Sequence, residues 1–146
     1  MVNWSKWTDI NEKLPSYEGP GVYKIRLADL KGQVIVIGRF HDNDKNGILM
    51  IGSSNNIKRR LQQFRGAING NKYGHAEAIR FYLILKYTKF KKEQYKLQYS
   101  FKQLDKNNYK EEEERLIKCY FKKYGEVPPL NNNLPSKHVD WNSLRC

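Results

Sequence analysis

Two charged side chains stand where the spacing of their neighbours asks for apolar ones. Arg60 follows Ile57 by three residues and precedes Phe64 by four, so in a helix it shares the apolar face instead of pointing outward with Lys58, Arg59 and Gln62. A guanidinium turned toward a core needs a hydrogen-bonding partner or a bound anion. Glu113 makes the reciprocal demand. It precedes Leu116 by three residues, Ile117 by four and Tyr120 by seven, so among the glutamates at 111–114 it lies most squarely on an apolar stripe. The plainer alternative is that both residues edge their stripes and reach solvent, with the acidic run favouring a helix N-terminus.

The elements that must carry these residues follow from periodicity. "GVYKIRLADL" alternates, with Val22, Lys24 and Arg26 on one side and Tyr23, Ile25 and Leu27 on the other, which predicts a strand. "QVIVIGRF" and "ILMIG" are short apolar runs separated by the turn-forming "HDNDKNG", and they read as a hairpin. In "SSNNIKRRLQQFRGAING", Ser54 or Asn55 can cap a helix whose apolar face is Ile57, Leu61, Phe64 and Ile68. "HAEAIRFYLILKY" predicts a second helix through Ala76, Ile79 and Leu83. "YKLQYSF" predicts another strand, with Leu97, Tyr99 and Phe101 on one face. "NNYKEEEERLIKCYFKKYG" predicts a last helix that stops at Gly125. The sum is an α+β fold, a small antiparallel sheet of three to four strands with helices packed on it.

At 146 residues the chain fits a single domain, 1–146, with an N-terminal arm at 1–18, a core at 19–132 and a Pro- and Asn-rich tail at 133–146. Twenty-seven Lys and Arg against fifteen Asp and Glu leave a formal charge of +12. A folded domain that tolerates such self-repulsion points to a polyanionic partner, of which nucleic acid is the commonest. An anionic membrane surface would need a basic amphipathic helix with an exposed bulky apolar face, and none stands out, so no membrane partner is expected. Cys119 and Cys146 are too few for a zinc site, and their positions predict no disulfide. With no signal-like or membrane-spanning run, a reducing, cytoplasmic setting is expected.

"GVY" at 21–23, then "MIG" at 50–52 running into "SSNNIKRRL", resembles the GIY-YIG nuclease superfamily. Its pattern is a GIY-like strand, a YIG-like strand, and a helix with an Asn, an aliphatic residue and an inward Arg. "EERLIKCYFKKYGEVPPLN" is similar to the family's closing helix and the Pro-containing turn and Asn that follow it. The likeness spans roughly residues 19–132. It implies an endonuclease that hydrolyses DNA phosphodiester bonds with Mg²⁺ or Mn²⁺. Within it Tyr23 matches the GIY tyrosine, Arg60 the catalytic arginine and Glu113 the metal-binding glutamate. Asn131, or Asn132 in the alternative register, matches the asparagine that orders the site from the C-terminal segment, and Asn131 is grouped with the nucleic-acid-binding residues. A single carboxylate suits Mg²⁺, which keeps most of its waters and takes phosphate oxygen as a ligand.

The sequence also departs from the family. Met50 stands where the YIG tyrosine is expected, and a thioether can neither bind nor deprotonate an attacking water. Phe64 falls one turn after Arg60, where relatives carry His or Tyr, and Ser53 falls where some carry Lys. Three readings stay open: an active nuclease in which Tyr23, helped by His75 or a metal-bound hydroxide, does the missing tyrosine's work; a decayed nuclease fold that binds without cutting; or a basic DNA- or RNA-binding module using aromatic stacking. His75 could equally cap a helix or lie in solvent. Lys58, Arg59, Arg65 and Lys72 form a basic cluster suited to phosphates. Lys86, Lys89, Lys91, Lys92 and Lys96 form a second, for which a merely solvated face is the alternative. DNA is favoured over RNA, and double-strand cutting by a one-site domain would use a homodimer or two successive nicks.

Overall fold

The computed structural model describes residues 3–71, 76–134 and 140–146. In chain order the described elements are β1 (Thr8–Asp9), β2 (Gly21–Asp29), β3 (Ile37–Gly38), β4 (Asn43–Asp44), β5 (Ile48–Ser54), α1 (Ile57–Ile68), α2 (Ala76–Tyr87), β6 (Tyr95–Gln103) and α3 (Tyr109–Tyr124). The main sheet has the order β1-β6-β2-β5 and is antiparallel throughout, with β3 and β4 forming a separate two-stranded ribbon. The expected α+β architecture is therefore present.

Helices cover both faces of β2, one of the two inner strands. On one side Tyr23, Ile25 and Leu27 join Ile57, Leu61 and Phe64 of α1 and Ala78 and Phe81 of α2 in the larger core. On the other, Ile48 and Ile51 of β5 pack with Tyr120 and Tyr124 of α3. A register shift between Ile25 and Arg26 lets both Leu49 and Met50 reach the larger core. The charged members of the β2 alternation, Lys24 and Arg26, are partly buried. Lys24 lies 4.4 Å from the ring centroid of Trp4 and Arg26 4.3 Å from that of Trp7, so indoles from the N-terminal arm shelter their cations.

Four sequence expectations change. "QVIVIGRF" and "ILMIG" do not pair as a hairpin. β5 pairs with β2 instead, which buries Ile48, Leu49, Met50 and Ile51 together, and the run before it contributes only the short β3 and a bridge from Val34 to Ala28. What holds that excursion is Asp44, fully buried, which accepts from the amides of Asn46 (2.9 Å) and Ile48 (3.0 Å) and from the hydroxyls of Tyr120 (2.8 Å) and Tyr124 (3.4 Å).

The α1 cap is Asn56, not Ser54 or Asn55. Its side chain accepts from the Arg59 amide at 3.0 Å, and Ser54 instead turns the chain by accepting from the Asn56 amide. The buried stripe of α2 runs through Ala78 and Phe81, with Ile79 partly buried against the same core, whereas Ala76 and Leu83 are exposed. The helix is apolar nearly all round, so its periodicity does not choose a face.

Cys119 and Cys146 are joined by a disulfide. Residues 140–146 return along α3, where Arg115 donates to the Arg145 carbonyl (2.8 Å) and the ring centroids of Phe121 and Trp141 lie 5.8 Å apart. This path brings together cysteines 27 residues apart, and it removes cysteine usage as an argument for a reducing compartment. None of the described helices is long and apolar enough to cross a membrane.

Asp44→Ala strips the shared acceptor from two amides and two hydroxyls. It is expected to lower the unfolding free energy by about 3 kcal/mol or more, read as a fall in the urea midpoint at unchanged slope.

Candidate active site

The site is assembled around one strand pair. Tyr23 of β2 sits directly across from Gly52 of β5, and its ring lies over the glycine: a Cβ placed on Gly52 would fall 2.5 Å from both the ring Cζ and the hydroxyl oxygen. Tyr23 is 1% exposed. The Arg60 guanidinium of α1 lies beside the Tyr23 hydroxyl, and since a guanidinium only donates, the phenol oxygen is the group it can act on as acceptor. Burial drives the Tyr23 pKa well above the ordinary phenol value against the opposing pull of Arg60, so the hydroxyl keeps its proton at neutral pH.

The start of α1 fixes where Arg60 stands. The Ile57 amide donates to the Gly19 carbonyl (3.0 Å) and the Lys58 amide to that of Tyr17 (3.1 Å), so main chain leading into β2 satisfies the first-turn donors. The helix is thereby tied to the strand that carries Tyr23.

Glu113 approaches the end of β5 from α3, on the other face of the sheet. The Ser53 hydroxyl, next in chain to Gly52, donates to its carboxylate. Burial raises the Glu113 pKa above the usual glutamate value, helped by Glu114 and Glu77, while Ser53 and Arg60 act in the opposite direction. Glu77, in the first turn of α2, also raises the Tyr23 pKa, so it belongs to the same neighbourhood. Of the other acidic residues in α3, Glu112 is taken up by Arg115 (2.5 Å) and Lys102 (3.3 Å), and Glu114 lies 3.8 Å from Lys118.

A groove of about 470 Å³ opens beside Arg60, lined also by Ser53, Ser54, Asn55, Arg59, Gln63, Tyr109 and Lys110. A larger cleft, about 710 Å³, lies between α3 and residues 140–146 and includes none of Tyr23, Arg60 and Glu113.

The sequence-predicted residues thus divide. Tyr23 and Arg60 meet on the α1 side of the sheet, and Glu113, bonded to Ser53, is near enough for its charge to act on Tyr23 and for that of Arg60 to act on it. Asn131 serves the main chain: its Oδ1 accepts from the Ile51 amide (3.0 Å) and its Nδ2 donates to the Ile51 carbonyl (2.9 Å), which ties the C-terminal segment to the open edge of β5. Arg59 lines the groove, with a guanidinium nitrogen 2.9 Å from Asn55 Oδ1. Lys58 points aside and pairs with Glu18 at 3.6 Å, and Arg65 stands in the last turn of α1. His75 and Lys72 lie outside the described residues. Met50 is 3% exposed opposite Ile25, and Phe64 is fully buried in the same core.

Sequence reasoning did not find Glu77, Tyr109 or Lys110. Glu77 reads as an ordinary first-turn carboxylate, and the other two gain meaning only once α3 is set beside α1. Comparison with protein-family models, with curated proteins and with solved structures yields no significant match to this chain.

Gly52→Ala is expected to displace the Tyr23 ring at a cost of about 1–3 kcal/mol, the range for overfilling a packed site, and thermal melts would register it. Glu113→Gln should do the reverse at neutral pH. Because the folded-state pKa is raised, ionised Glu113 lowers stability as pH climbs through that window, and the neutral amide removes the penalty. A higher melting temperature for Glu113→Gln at neutral pH, with the difference closing in acid, is the expected result.

Proposed function

We propose that this chain is a metal-dependent endonuclease of GIY-YIG type acting on DNA. The observation that carries the reading is that Tyr23 lies beside Arg60, with Glu113 within electrostatic reach of both, at a groove that Arg60 lines together with further cations. Each group has a role that its surroundings suit. Arg60, beside the Tyr23 hydroxyl, presents its donors to the non-bridging oxygens of a phosphodiester, where charge grows in the transition state. Tyr23 is a positioning residue as well as a nearby hydroxyl. Arg59 and Lys110 give the flanking phosphates a positive wall.

Glu113 is the residue that would hold a divalent ion. Its carboxylate is partly desolvated, which penalises the charged form, and an adjacent divalent cation relieves that penalty. Among the described residues no three His, Cys, Asp or Glu gather into a metal cage. The donor set therefore suits an ion held through one carboxylate, with water and phosphate oxygens completing its shell, which is the habit of Mg²⁺. Bound there, such an ion would supply Lewis acidity at the phosphoryl group and acidify a water.

The packing of Met50 and Phe64 favours a second reading, a nuclease fold that binds nucleic acid but has lost turnover. Both are buried apolar side chains at positions where the resemblance leads one to expect polar groups.

Incubation with supercoiled plasmid in Mg²⁺, Mn²⁺ or EDTA separates the two. Nicking or linearisation that needs the metal, and falls at least about 100-fold in Arg60→Ala and disappears in Glu113→Ala, is the expected outcome. Both variants should still bind DNA with an affinity that drops steeply with salt. Salt-sensitive binding by the unmodified protein with no cutting in any metal would favour the second reading.

A further inference from the structure

α2 turns a mixed stripe outward. Its core contacts run through Ala78 and Phe81, so Arg80, Leu83 and Tyr87, spaced three and four apart, share the opposite face. Leu83 is 48% exposed and Tyr87 71%. The Lys86 ammonium lies 5.7 Å from the ring centroid of Tyr82 and 5.3 Å from that of Tyr87. Exposed Lys89 and Lys91 follow directly.

The stripe starts at the candidate site. Arg80 donates to the Asn132 side chain at 3.0 Å, next to the Asn131 amide that edges β5, and Glu77 lies one turn earlier. From Glu77 to Tyr87 the helix rises about 15 Å, roughly four to five nucleotides at ~3.4 Å each.

The chemistry of the stripe selects its partner. An apolar patch meant for another protein is usually poor in lysine at its centre, whereas here Lys86 lies against one exposed ring, exposed Arg80 precedes it by two turns and exposed Lys89 and Lys91 follow it in the chain, with the acidic Glu77 and Glu93 at the two ends of the run. A cationic track with an upward-facing aromatic ring is how proteins hold unpaired nucleotides. Lys86, already against the ring, would move to a phosphate when a base takes its place.

We propose that this face of α2 is a second nucleic-acid contact that stacks an unpaired base on Tyr87 and engages the flanking phosphates with Lys86, Lys89 and Lys91. It rests on the nucleic-acid half of the function proposed above and makes single-stranded DNA leading away from the site part of the substrate.

The test is fluorescence anisotropy in EDTA with an oligothymidylate and a blunt duplex, each of about 20 units, long enough to span site and stripe. Tyr87→Ala should weaken oligothymidylate binding about 10-fold and duplex binding much less, while Tyr87→Phe should bind like the unmodified protein. The double variant Lys86→Ala, Lys89→Ala should flatten the salt dependence of both probes. Tyr87 is exposed, so a matching thermal melt will show that its variants are folded. Unchanged oligothymidylate binding in Tyr87→Ala would overturn the proposal, as would self-association of the unmodified protein that Tyr87→Ala abolishes. Loss of single-strand affinity in Tyr87→Ala supports it even if no plasmid is cut, and plasmid cutting with an inert Tyr87 defeats it while leaving the nuclease reading standing.

Discussion

Tyr23 can lie across the sheet only because the residue opposite it has no side chain. The constraint at Gly52 propagates in two directions, because adjacent residues of a strand face opposite sides. Gly52 admits the Tyr23 ring and, through its hydroxyl, the Arg60 guanidinium on the side of α1. Ser53, one residue on, faces the other way and receives Glu113 from α3. A single dipeptide near the end of an edge strand therefore joins two helices that the sheet otherwise keeps apart. Any larger residue at position 52 would meet the Tyr23 ring.

The same economy governs charge. Several carboxylates are committed to internal work: Asp44 to a loop and two tyrosines, Glu112 to Lys102 and Arg115, and Glu126 to the Phe40 amide. Lys24 and Arg26 are absorbed under indoles. Much of the excess positive charge is left on outward faces, where it can act on a polyanion. Glu113 differs from the committed carboxylates: its hydroxyl partner only partly offsets the cost of its burial. Such an arrangement sacrifices stability for a poised group.

Much of this was legible in the sequence, for local reasons. The apolar face of α1, the alternation in β2 and β6 and the inward set of Arg60 and Glu113 all follow from periods of 3.6 and 2. The left-handed Gly125 ends α3 as its position suggests. What was not legible depended on partners distant in sequence. "ILMIG" pairs with β2, and the loop before it is held by Asp44, whose two tyrosines lie 76 and 80 residues away. The outward turn of Leu83 depends on which side of α2 meets α1. Cys146 meets Cys119 only because Trp141 and Arg145 find footholds on α3.

The amide of Asn131 has a further effect. By offering one acceptor and one donor to Ile51, with the Leu130 amide donating to Leu49 at 2.8 Å, it imitates a neighbouring strand along the open side of β5. At the other end of the sheet the N-terminal arm does the same for β6, through Ser5, the short β1 and Ile10. Both margins are thus blunted, and blunted margins stop sheets from templating one another. Pairing of two copies by fusing their main sheets edge to edge is thereby disfavoured. Ile48–Ile51, a wholly apolar tetrad, would be the first aggregation-prone segment uncovered if residues 128–131 peeled away.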